Sequence, residues 1–341
     1  MAKKVVVDVV DANDIEVVSV EGPSHFSFRI AKMPRTVRFS LVILSSLVLS
    51  SGLLTVFSLQ TAGHLAGISK HLEEWWEIVG LILWRATELG LAWVFGFDSL
   101  DVAELTLLTH APIYFLLYSF YGVEPSAVLT TFAIEIVSKT VPFFVFRGPN
   151  SVHALSSPRG AEVSNREILQ DYPTAIFASG GAAAIYTIVM YLSFNTWLPV
   201  HLVTYFDGIS DISLVHSGPA GFPKVLTQLF LTGYAAYDFL FASSAGWSAK
   251  PDSTEKSVAE GEYLITSLYN RTWGKLSPKG KILANRSFIL AIITLLNTII
   301  AGTGSIKGIE LKGSVGWGSL WAVASLIVSS LFAWIEAVPG V

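Results

Sequence analysis

The chain of 341 residues is 52% hydrophobic and only 14% charged, and it contains no cysteine. Soluble domains carry roughly 25% charged residues, so the groups that would keep a water-facing surface solvated are missing, and disulfides, thiolate metal sites and cysteine nucleophiles are excluded. A formal net charge of −4 gives no basis for a nucleic-acid partner, and the composition is that of an integral membrane protein.

The first 38 residues are polar or mixed and read as a cytoplasmic segment rather than a cleavable signal. β-branched runs at 5–10 and 15–20, an alternating stretch at 26–30 and Gly22-Pro23 between the last two are consistent with a small β-hairpin, a mobile tail being the alternative. Arg29, Lys32, Arg35 and Arg38 then form a basic face suited to anionic lipid headgroups.

A helix crosses the hydrocarbon core with about 20 mostly apolar residues. Eight stretches qualify, so an all-α polytopic membrane protein is expected. The first, 39–60, carries no charge, and the second, 76–97, contains Arg85 and Glu88. The third, 102–122, holds Glu104, His110 and Pro112, and the fourth, 125–146, holds Glu135, Lys139 and Pro142. The fifth, 173–194, includes the small-residue run 179–184, and the sixth, 223–245, contains Asp238. The seventh, 288–304, with a start as early as 282, contains Asn297, and the eighth, 315–337, carries Glu336 near its end.

Basic loops stay on the cytoplasmic side. Six Lys and Arg precede the first span, three lie between the fourth and fifth, and seven between the sixth and seventh. That asymmetry places both termini in the cytoplasm and leaves the sequons at Asn270 and Asn285 unglycosylated. Four parts follow: the segment 1–38, a six-helix region 39–245, a cytoplasmic loop 246–287 with a short interfacial helix at 262–270, and two further spans within 288–341. Residues 195–222 are too apolar for an ordinary loop and too broken for a span, which suits a re-entrant or surface-lying segment.

Charges inside a membrane cost at least about 2.5–3.5 kcal/mol each and face protein or water. The second and fourth spans run in one direction, and Arg85 and Glu135 fall level near the midplane. Glu88 and Lys139 lie some 4.5 and 6 Å deeper at about 1.5 Å per residue. A ladder of Arg85 with Glu135 and Glu88 with Lys139 is therefore expected to join these two helices as packed neighbours. His110, on a stripe with Thr106 and Tyr114, adds a fifth polar group from the third span. The cluster serves either as a register lock or as a solute or proton site. Asp238, beside Gly233, Ala235 and Ala236, has no evident partner and is a secondary candidate.

Asn297 suits an interhelical hydrogen bond, and the 179–184 run suits close helix approach. Trp75, Trp76, Trp197, Trp317 and Trp321 fall near span ends as an aromatic belt does, while Trp84 and Trp93 lie deeper. His64 and His71 flank a loop with Glu73 and Glu74 that reads as solvated rather than as a weak metal site. There is no Walker loop, no His-Glu-x-x-His and no nucleophile elbow. No catalytic residue, metal or cofactor is expected. The sequence supports a non-catalytic scaffold or assembly factor of an endomembrane, its partners the bilayer and proteins bound through 1–38 and 246–287. The alternative is a transporter or channel-like protein moving a small polar solute or proton through the charged cluster; a lipid-modifying enzyme using His110 ranks behind both.

Overall fold

The computed structural model describes residues 33–147, 153, 171–246 and 276–336. The expected hairpin at 5–30 and the interfacial helix at 262–270 lie outside them. Among the described residues the fold is all-helical, with eight helices long and apolar enough to cross a membrane. These are α1 (Arg35–Val56), α3 (Trp75–Phe95), α4 (Ser99–Ser119), α5 (Pro125–Phe146) and α6 (Tyr172–Phe194). They continue with α9 (Gly221–Ala236, prolonged through Ala245), α10 (Pro278–Ser305) and α11 (Leu311–Glu336). Short helices α2 (Ser58–Leu65), α7 (Leu198–Tyr205) and α8 (Ser213–His216) occupy connections on one end of the bundle.

Local chemistry explains the helix limits. Gly96 at φ +85° stops α3 in the left-handed conformation that glycine tolerates best. Asp98 then caps α4, accepting from the Leu100 and Asp101 amides while the Asp101 carboxylate returns to the Asp98 amide. Ser277 caps α10, accepting from the Gly280 amide at 3.0 Å. Pro278 sits at the first helical position of α10, where a missing N–H costs nothing. The seventh span thus begins earlier than hydropathy suggests, because the helix includes the polar turns with Lys279, Lys281 and Arg286 that precede its apolar stretch. The first span ends earlier, at Val56, where Phe57 separates α1 from α2.

The innermost helix is α4, packed against α5, α9 and α10. Around it, α10 pairs with α11, α6 with α9, and α1 with α5. Phe115, Phe120, Trp317 and Trp321 stack in the centre with ring centroids 5.8–6.4 Å apart. Trp317 and Trp321 are therefore core residues, fully buried, and not part of an interfacial belt. An indole near a span end looks the same in sequence whether it anchors to headgroups or packs inward. Trp75 and Trp76, in contrast, are exposed at the start of α3. The outer faces carry bare apolar side chains such as Leu44, Val48, Leu83, Phe144 and Trp334. Water would penalise that surface at about 25 cal/mol per Å²; acyl chains do not.

The pairing of α6 with α9 depends on Gly233. A Cβ there would lie 2.7 Å from the Ala183 Cβ and closer still to the Ser179 carbonyl. Gly233→Ala is expected to push the two helices apart and cost about 1–3 kcal/mol, seen as a lower melting temperature in detergent. Gly180→Ala, where a Cβ meets nothing within 4 Å, is the neutral control.

Connections gather at two ends. At one, Ser69 bridges Ile306 and Phe206 bridges Ile309, and the Tyr121 hydroxyl donates to the Asp207 carbonyl at 3.1 Å. Burial, helped by Asp207, pushes the Tyr121 phenol up to about 12. Here 195–222 becomes α7, α8 and a 3₁₀ turn at Gly218–Ala220. At eight residues, or about 12 Å, α7 is too short to cross a bilayer. It buries Leu198 and Leu202, exposes Val200 and Val203, and rests on α11, where His201 Nε2 lies 3.1 Å from the Gly313 carbonyl. At the opposite end, Arg147 donates to the Trp93 carbonyl at 3.0 Å and Ser244 hydrogen-bonds Glu336.

Candidate functional site

Arg85 on α3 places Nη1 3.1 Å from Glu135 Oε2 on α5. Its Nη2 donates to Ser138 Oγ at 2.6 Å and to Ser46 Oγ on α1 at 3.2 Å. One turn deeper, Lys139 Nζ lies 2.7 Å from Glu88 Oε2 and 3.9 Å from Glu135 Oε2. The same ammonium lies 3.1 Å from His110 Nε2. An ammonium only donates, so Nε2 accepts and His110 Nδ1 carries the proton, donated to the Thr106 carbonyl at 3.1 Å. The imidazole is thereby neutral, and two cations face two carboxylates.

The two rungs differ in access. Lys139 and Glu88 side chains are 4% and 10% exposed, against 14% for Arg85 and 24% for Glu135. Both rungs and His110 line one cavity of about 430 Å³. Its remaining wall includes Leu47, Leu54, Leu81, Ile113 and Leu117, and it extends to Leu65, Ile68 and Ser305 at the end where Ser69 bridges Ile306. The cavity also corrects one expectation. The second and fourth spans were expected to be packed neighbours, but α5 packs on α1, α2 and α4, and α3 on α1 and α10. Long Arg and Lys arms bridge the gap between α3 and α5, and that gap is the cavity. On its α10 side, Asn297 accepts from Trp84 Nε1 and donates to the Thr109 carbonyl, both at 3.0 Å.

A second polar cluster lies nearer the end where Ser244 meets Glu336. Arg286 on α10 donates to Asp101 Oδ1 at 2.6 Å and to the Phe239 carbonyl at 2.9 Å. Its guanidinium stacks over Phe97 and Phe239 at 5.0 and 4.8 Å. His153 Nδ1 is 2.7 Å from Asp98 Oδ2. Burial opposes protonation of His153, but the hydrogen bond to Asp98 and the charges of Asp98, Asp101 and Asp238 outweigh it and raise its pKa.

Asp238, expected to lack a partner, belongs here: its carboxylate lies within 4.8 Å of both Glu104 and His153. A π turn at Tyr237–Ala242 carries it, a distortion frequent at functional sites. Sequence reading missed this cluster because its members come from α4, α9, α10 and residue 153. The one available signal was Asp101 and Glu104, close together on one face within the first turns of an apolar span. Of the two loop histidines, His64 lies on α2 and its Nε2 pairs with Glu124 Oε2 at 2.8 Å, both side chains about half exposed.

Residues 171–300 match the family described as the Bouquet formation protein 3 C-terminal domain. No curated protein and no solved structure matches the chain. The matched segment runs from α6 into α10, so it is similar to that domain over less than half of the chain. It includes Asp238, Arg286 and Asn297, while α1 to α5 and the five charged-cavity residues precede it.

Proposed function

We propose that the chain is a non-catalytic membrane protein of the nuclear envelope that serves bouquet formation, the attachment of telomeres to the envelope. The match of residues 171–300 carries this reading. Three features support it. The sequence contains no Walker loop, no His-Glu-x-x-His and no nucleophile elbow. The net charge of −4 favours holding protein partners over contacting DNA directly. The four charges lining the cavity neutralise one another in pairs, as a register lock requires. Segments 1–38 and 246–277, polar in sequence, are the surfaces assigned to partners, the remainder of the expected loop to 287 being part of α10.

A fluorescently tagged full chain is expected at the nuclear rim, and telomere foci are expected to leave the rim when the protein is removed. Fluorescence confined to other membranes, or telomeres that stay in place without the protein, would overturn the proposal. The cavity reaching Glu135 and Lys139 favours a second reading, passage of a small polar solute, which predicts flux in proteoliposomes that Glu135→Gln abolishes.

A further inference from the structure

We propose that Glu104, Asp238 and His153 bind a divalent cation, zinc foremost, with Asp98 orienting the histidine. The site is separate from the charged cavity and independent of the role in bouquet formation. One ligand atom from each of the three residues lies within 4.8 Å of the others. The His153 side chain is 5% exposed, and its Nδ1 is occupied by Asp98 Oδ2 at 2.7 Å. Its other nitrogen, Nε2, is buried and has no hydrogen-bond partner among the described residues. Glu104 is 8% exposed, and its Oε2 is likewise buried without a hydrogen-bond partner among the described residues. Two of the three clustered residues thus each carry a buried polar atom with no hydrogen-bond partner among the described residues, and an unmade buried hydrogen bond costs about 1–3 kcal/mol.

Two carboxylates this close repel unless they share a proton or a cation. The imidazole decides between cations. One nitrogen and two carboxylate oxygens, with a fourth position left for water, match zinc, whereas calcium and magnesium require more oxygen donors. The carboxylate on the far ring nitrogen is the usual outer partner of a metal-bound histidine, fixing its tautomer and raising its basicity. Bonds of about 2.0–2.2 Å require the three atoms to close by roughly an ångström, within the reach of the Glu104 and Asp238 side-chain torsions. Asp238 is only half-buried and leaves a way in. A bound ion would tie residue 153, in the connection between α5 and α6, to α4 and to the π turn of α9.

The test uses the full chain in detergent, stripped with a chelator and titrated with zinc chloride alone. One equivalent of zinc and a higher melting temperature are expected. His153→Asn and Glu104→Gln should each weaken binding well over tenfold, and Asp98→Asn about 10–100-fold. His64→Asn, at the opposite end, should bind as the unaltered chain does. Gel filtration checks folding, and His153→Asn is the deciding variant if Glu104→Gln does not fold. Substoichiometric zinc with no change in melting overturns the proposal and leaves a proton shared by the two carboxyls; zinc retained in His153→Asn overturns it as well.

Discussion

Lys139→Met is expected to destabilise the protein by about 3–5 kcal/mol, the usual consequence of removing one partner from a buried ion pair. The methionine fills much of the lysine volume, so lost packing contributes little. What remains is Glu88, 10% exposed, whose carboxylate loses its ammonium at 2.7 Å, and His110 Nε2, which loses its donor at 3.1 Å. Glu135 keeps Arg85, so damage should concentrate on the deep rung. Thermal unfolding of the full chain in mixed micelles measures it. The exchange Glu88→Lys with Lys139→Glu should recover most of the loss. Under the proposed scaffold role, telomere attachment returns together with stability. A solute site would remain inactive in a refolded exchange variant, because its charges would be inverted at the deep end of the cavity.

Arg286→Met should cost a similar amount, about 3–5 kcal/mol. It removes two hydrogen bonds, to Asp101 Oδ1 and the Phe239 carbonyl, together with the stack between Phe97 and Phe239. Arg286→Lys should restore only a small part, since a point charge on a flexible stem reproduces neither the donor fork nor the planar stacking. The same melting experiment checks both variants.

The number of spans and the five residues lining the cavity were readable from sequence for one reason. Charges are so sparse in apolar stretches that each one, counted along a helix of known rise, has a definite depth. Depth is one coordinate, and it leaves lateral position open. Arg85 and Glu135 could thus be matched in level without revealing that Ser46 of α1 also meets the guanidinium, or that a cavity separates α3 from α5. Asp238, Glu104 and His153 escaped because their convergence depends on a π turn and on a residue in a connection, neither of which leaves a periodic trace. Trp317 and Trp321 were misplaced because position near a span end does not say which way a side chain turns.

Two fastenings hold α10 against α4. Arg286 grips Asp101 toward one end, and Asn297 grips Thr109 about 16 Å further along. Both helices point the same way, so a tug applied along α10 is shared by the two grips in shear instead of peeling them open one after the other. Under the proposed role in telomere attachment, that layout would let the two grips resist a pull together.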